Sequence, residues 1–446
     1  MSEEPNKVER PPLAGVALGG FKSFIQRQSV EFRKLTILAG ANSSGKSTLM
    51  QALLLLKQSL EVGFDPGVLL LDGPNVRFSS ADQVFSRLAR KKRTNLFEIE
   101  LAFGQTPGIK LAFCRDASKV IDVASVEFGG QPPLKLCPGM TSEEILSQSP
   151  GRKGFMLLGS IPGASHFEYY VARHRFLLGL GVRFQRKDLG FEFSARQNPE
   201  LGATQKLLQE LVHLPGLRGN PLRTYLMTSV AKVYPGTFEA YTAAIVAHWQ
   251  GGKDSAKLDK LNEDLHALGL TWKVAANRLN DTQVELVVGR LPRAAVGGAR
   301  DLVNIADVGF GVSQALPVAV ALQAAGPGQV VYLEQPEIHL HPRAQVALAS
   351  VLARAVRRGV QVVVETHSSL LLLGIQSLAA EGTELAPEEV KLHWFTRDSS
   401  DGATVVTSAD MDSKGSFGDW PEDFGKVELD LESRYLDAVD ARHRPA

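Results

Sequence analysis

Gly40, Asn42, Ser43, Ser44, Gly45, Lys46, Ser47 and Thr48 fall within one run, GANSSGKST, that completes the pattern GxxxxGKS. These residue types at this spacing are suited to capturing phosphate. The glycines let backbone approach an anion closely, a following helix offers unpaired N–H groups at its positive end, Lys46 reaches β/γ-phosphates, and the Ser47 hydroxyl ligates Mg²⁺. Thr48 is a second contact. Upstream, Leu35-Thr36-Ile37-Leu38-Ala39 has the length and β-branching of a buried strand, while Leu49, Ala52, Leu53 and Leu56 recur downstream at helical spacing. A strand–loop–helix unit holding a nucleotide is expected.

Such a cation needs a carboxylate. The run 329–334, QVVYLE, is a buried-strand pattern that ends in an acid, so Glu334 is the candidate Mg²⁺ ligand beside Ser47. The run 361–368, QVVVETHS, repeats the design and delivers Thr366 and His367 to the same sheet edge, where His367 can bond a terminal phosphate or the attacking water. A helical stretch, 343–357, lies between the two. Ahead of them, the run 307–314, DVGFGVSQ, is a second glycine-rich helix start leading into an apolar stretch, 315–325. Gly309, Gly311, Ser313 and Gln314 could present N–H groups and a hydroxyl to an anion. One phosphate loop already exists, so the natural client is a nucleotide held by another subunit; a glycine-permitted packing turn is the competing reading.

The elements that must position these residues suggest an α/β fold, a P-loop NTPase with an antiparallel β lobe and a helical insertion. We divide the chain into 1–94, the first part of the nucleotide-binding head; 95–165, a β lobe and loops; 166–283, a mostly helical insertion; 284–397, the second part of the head; and 398–446, a tail. The lobe rests on alternating segments at 96–103, 109–113 and 120–128, and the insertion on leucines at three- and four-residue spacing between 205 and 268. Heptads do not persist, so no long coiled-coil arm is expected.

In this order, the phosphate loop, β lobe, insertion, second helix start, LEQPEIHLHP and ETHS resemble the ABC-type ATPase head of the RecF, SMC and OLD group. The match is nearer to AAA-type ATPases of bacteria that end in a short domain of unknown function, including the segment Trp420 to Phe424. That resemblance implies ATP and Mg²⁺ as cofactors and a homodimer, or higher oligomer, sandwiching ATP. Ser313 with Gly309, Gly311 and Gln314 would then act across the dimer, with His367 as the switch histidine. Such heads commonly follow the metal-binding acid with a glutamate; this chain has Gln335, which can orient water but cannot take its proton, leaving Glu337 as a nearby contributor. Slow hydrolysis and long-lived ATP-bound dimers are expected. His339 and His341 have HxH spacing without a third ligand and are read as structural rather than as a zinc site.

Composition bounds the partners. With 446 residues, 44% hydrophobic and 22% charged, the chain can build its own cores. The net charge of +1 advertises neither membrane nor nucleic acid, although a local cluster, Arg87 to Arg93, could touch phosphates. Two cysteines without ligand spacing suit a reducing cytoplasm, and apolar runs such as 312–325 are too short to span a bilayer. A cytoplasmic ATPase is expected that controls a separate effector protein such as a nuclease, or a DNA or RNA transaction, plausibly in anti-phage defence. The alternatives are a nucleotide-gated scaffold or sensor with little hydrolysis, and a DNA-repair ATPase like RecF or SMC. Asp398, Asp401, Asp410 and Asp412 read as solvated loop acids, not as a nuclease centre.

Overall fold

The computed structural model describes residues 12–88, 92–104, 106–115, 118, 120–130, 132–148, 165–186, 189–195, 199–229, 232–252, 254–291, 301–418 and 426–443. The segment from Trp420 to Phe424 lies outside them. Strands β1 (Leu13–Gly19), β2 (Gln28–Glu31) and β3 (Leu35–Gly40) lead into the phosphate loop and α1 (Lys46–Glu61). Then β4 (Leu96–Phe103), β5 (Thr106–Arg115), β6 (Ile121–Phe128) and β7 (Leu134–Leu136) join the first two strands in an antiparallel sheet ordered β2-β1-β4-β5-β6-β7. The β lobe therefore borrows two strands from the segment assigned to the head.

The stretch 166–283 is mixed rather than mostly helical. After a short α2 (Ser142–Ser147), the strands β8 (Ser165–His174), β9 (Leu177–Arg186) and β10 (Leu189–Ala195) form a separate antiparallel sheet. Next come α3 (Pro199–Glu210), β11 (Val212–Leu214), β12 (Tyr225–Leu226), α4 (Thr242–Gly251), α5 (Ser255–Ala267), β13 (Val274–Arg278), β14 (Gln283–Gly289) and β15 (Leu302–Asn304). The helical spacing of leucines is real in α3 and α5; three-residue β11 is too short to leave a period.

The second half of the head alternates helix and strand: α6 (Phe310–Ala324), β16 (Val330–Glu334), α7 (Pro342–Arg357), β17 (Gln361–Glu365), α8 (Ser369–Glu381), then β18 (Val390–Arg397), β19 (Thr404–Asp410) and a final α9 (Lys426–His443). The central sheet runs β11-β16-β17-β3-β18-β19, parallel except for β19. A boundary at 398 thus cuts through a hairpin of this sheet. Asp410, at its end, is no free loop acid: it pairs with Arg33 and Lys391.

All of β3 and β17 is buried, as parallel strands covered on both faces must be. Alternate residues serve opposite cores. Ile37, Leu333 and Val364 enter the cluster with α6 and α7, while Leu38, Tyr332 and Val363 enter the one with α1 and the β lobe. This clamps three strand ends, Gly40, Glu334 and Glu365, at one edge.

Candidate functional site

The loop after β3 is held rigidly from behind. Gly40 has φ +138, and a Cβ there would meet the Phe395 carbonyl at 2.2 Å. Gly45 has φ +112, and a Cβ there would meet Thr404 Oγ1 at 2.2 Å. That same Thr404 hydroxyl lies 2.9 Å from the Ser44 carbonyl and 2.8 Å from Ser23 Oγ, so the β18–β19 hairpin buttresses the loop. Arg397 Nε donates to the Ser43 carbonyl at 2.7 Å. Gly45→Ala combines left-handed strain with this clash, and we expect a loss of about 1–3 kcal/mol or more, read by denaturant unfolding.

Asn42 to Thr48 line a cleft of about 1250 Å³ together with Lys22, Gln335, Glu365, His367 and Arg397. That is ample for a nucleoside triphosphate. The start of α1 has no side-chain cap, leaving N–H groups free, and the buried Ser44 hydroxyl has no protein partner. Lys46 Nζ rests on the carbonyls of Gly40 (3.0 Å) and Ala41 (2.8 Å). Burial lowers its pKa, with Glu365 acting against that. These orphaned donors fit a polyphosphate.

The carboxylate on Ser47 is not Glu334. Ser47 Oγ donates to Glu365 Oε1 at 2.9 Å, and the buried Tyr332 hydroxyl donates to Glu365 Oε2 at 3.0 Å. Glu334, paired with Glu365 across β16 and β17, is turned to His213 Nε2 at 3.2 Å and to the Gly216 N–H at 3.2 Å. Burial would raise the Glu334 carboxyl, but the His213 contact, the Gly216 N–H and Tyr332 hold it below the usual carboxylate range. Glu365 goes the other way: burial pushes it up, the Glu334 charge adds to this, and Ser47 and Lys46 only partly offset it. Two crowded carboxylates beside a serine hydroxyl form an oxygen donor set that suits a hard dication, which would relieve their repulsion. In this geometry the carboxylate bonded to Ser47 is that of Glu365, and Glu334, the acid expected beside Ser47, stands behind it on His213 and Gly216.

Gln335 lines the cleft, its backbone left-handed at φ +43 and its N–H on the Glu365 carbonyl at 2.7 Å. Glu337 does not face the cleft. Its Oε1 accepts from Thr366 Oγ1 (2.7 Å) and the His367 N–H (2.9 Å), fixing the histidine loop, and its buried Oε2 has no hydrogen-bond partner among the described residues. His367 lines the cleft, and burial, then the Lys46 charge, lower its pKa, favouring neutral imidazole.

Gly311, Ser313 and Gln314 are elsewhere. Ser313 Oγ bonds the Phe310 carbonyl at 3.1 Å, Gln314 Nε2 bonds the Gly219 carbonyl at 2.9 Å, and none of the three lines the cleft of its own chain. His341 caps α7 and His339 packs on Phe310, giving the HxH pair structural work. Sequence reading overlooked Glu365, His213, Tyr332, Lys22 and Arg397. Glu365 alone had a signal, an acid at the end of a strand already singled out for His367.

Phosphate loop, adjacent strand-end acids and this sheet order define a P-loop NTPase fold of the kind seen in ABC/SMC-type heads. A family model described as "AAA domain, putative AbiEii toxin, Type IV TA system" matches residues 35–109 and 261–373, which include the loop, α6, both acids and His367. An Smc head bound to the C-winged helix domain of ScpA is similar with TM-score 0.50 and 13% identity, over 90% of this chain and 98% of that one. The Pyrococcus furiosus Smc head with an extended coiled coil, bound to the C-terminal domain of ScpA, gives 0.47 and 12% over 96% and 100%. The Thermotoga maritima SMC head gives 0.39 and 11% over 90% and 99%. No curated protein matches in sequence. Among the described residues, no helix is long and apolar enough to cross a membrane.

Proposed function

We propose that two copies of this chain close around ATP, hold it for long periods, and use that state to control a separate effector. The observation that carries this reading is the division of labour within one chain. Loop, Glu365, Gln335 and His367 share a cleft, while the turn of Gly311, Ser313 and Gln314 lies outside it; Ser313 and Gln314 are buried in the single chain, so the exposed Gly309 and Phe310 and the half-buried Gly311 are what this turn presents toward a neighbour's nucleotide. Beside that turn, Phe310 is 51% exposed and Leu217 90% exposed, apolar side chains suited to a protein contact.

In the closed state the loop N–H groups and Lys46 would hold the phosphates. Ser47 and Glu365, with Glu334 behind, would hold Mg²⁺, which supplies charge neutralisation at the terminal phosphate. Gln335 would orient the attacking water, and neutral His367 would accept or donate one hydrogen bond at the terminal phosphate. Glu365 is engaged by Ser47 and Tyr332, and the residue placed to orient water is an amide that cannot take its proton, so turnover is slow. A partner protein fits the pattern of heads carrying bound domains, as in the ScpA complex, and the toxin named by the family model favours an effector system such as anti-phage defence. Gln335 also favours a second reading, a sensor or scaffold that releases its partner by exchange rather than hydrolysis.

Ser313→Arg tests the composite site. A long cation at the signature turn should leave nucleotide affinity of the single chain unchanged, yet lower Mg-ATP-dependent self-association by roughly 100-fold, as buried unpaired charge does at an interface. Analytical ultracentrifugation reads this; association equal to wild type would refute it.

A further inference from the structure

Arg218 is 7% exposed, yet among the described residues no carboxylate hydrogen-bonds to it directly. Its guanidinium reaches three backbone carbonyls: Nη1 to Gln314 at 3.2 Å, Nη2 to Glu334 at 2.8 Å and to Gln335 at 3.3 Å. Burial lowers its pKa to about 10, with Glu337, Glu239 and Glu334 acting against that. The first of these carbonyls belongs to the opening turn of α6, the others to the acid-bearing end of β16. Among the described residues no backbone hydrogen bond joins those two places.

The neighbours of Arg218 reinforce the link. Gln314 Nε2 returns a bond to the Gly219 carbonyl at 2.9 Å, and the Gly216 N–H holds Glu334 Oε2 at 3.2 Å. His213, on the same segment, holds Glu334 Oε1 and stacks on Tyr332, which in turn holds Glu365. Residues 213–219 thus touch the signature turn at one end and the acids of the cleft at the other. Pro317 lacks the N–H that would bond the Ser313 carbonyl, so the opening of α6 is less firmly laced to its own helix and leans more on such outside ties.

We propose that Arg218 is a positioning residue that couples the two half-sites of one chain, passing the state of its own nucleotide cleft to the signature turn it offers a partner. This rests on the composite-site reading above. A guanidinium suits the task because its planar fork bonds several carbonyls at fixed angles, whereas an ammonium is a point donor. An element with two sites biased through one bracket is the physical requirement for coupling.

The test uses full-length wild type, Arg218→Met and Arg218→Lys, with ATP affinity of the single chain, ATP-dependent self-association and steady-state kinetics as readouts. Arg218→Met is expected to keep single-chain ATP affinity within about threefold while kcat and self-association fall roughly 10–100-fold, with Arg218→Lys intermediate. Equal kcat and association in folded Arg218→Met would overturn the proposal, as would a loss confined to KM. If neither variant folds, hydrogen exchange decides, using Ser313→Arg at a concentration where it stays a single chain. Adding Mg-ATP to that single chain should alter protection at 310–316 along with 213–219; altered protection confined to the phosphate loop would overturn the coupling. Failure of wild type to self-associate sinks the composite site instead, so the two failures are distinct.

Discussion

Lys46→Met should lower ATP affinity on the order of 100-fold while leaving the fold as stable as the parent, or slightly more so. Lys46 is nearly buried, and without an anion its ammonium has only two loop carbonyls as hydrogen-bond partners. The charge is held at a cost, since burial lowers its pKa. Methionine keeps the stem volume and removes the desolvated charge, so packing under α1 is maintained. What is lost is the charge-assisted contact with phosphate, worth roughly 1.5–3 kcal/mol for each strong bond. Calorimetric titration with ATP reads the affinity and thermal unfolding reads the stability. A variant that binds ATP within threefold of wild type would remove Lys46 from the site.

Gln335→Glu should raise turnover about 10²–10⁴-fold, the usual worth of a positioned general base. The two side chains are isosteric, Gln335 already lines the cleft, and its N–H bond to the Glu365 carbonyl does not involve the side chain. The left-handed backbone at φ +43 is shared by both forms. The new carboxylate would add to the crowding of Glu365 and Glu334, so activity should depend more steeply on Mg²⁺ than in wild type. Phosphate release under saturating ATP measures the rate, and the lifetime of the ATP-bound dimer should shorten in parallel. Unchanged or slower turnover would mean that Gln335 is not where the water is activated.

The fold class, phosphate loop and strand-end acids were legible because they are local: a buried strand, a glycine-rich turn and a helix are each encoded in a few contiguous residues. The carboxylate that meets Ser47 was not, because it depends on which strand lies next to β3. Sheet order inserts β17 between β3 and β16, and that order is a long-range outcome of packing. His213 was invisible for a similar reason, since β11 spans only Val212–Leu214 and its role comes from lying beside β16. The hairpin β18–β19 escaped the division of the chain because the polar loop between its strands reads as a tail, while its backbone closes the sheet and props up Ser44 through Thr404. Glu337 lies close in sequence to Gln335, but only the turn between them shows that its Oε1 meets Thr366 and the His367 N–H.

Whether two chains share each ATP site is read most directly from the mass of the wild-type protein in solution with saturating Mg-ATP. The expected result is twice the mass of a single chain, with one ATP bound per chain, reverting to single chains when ATP is removed. Protein that binds ATP fully yet stays at the mass of one chain would contradict it.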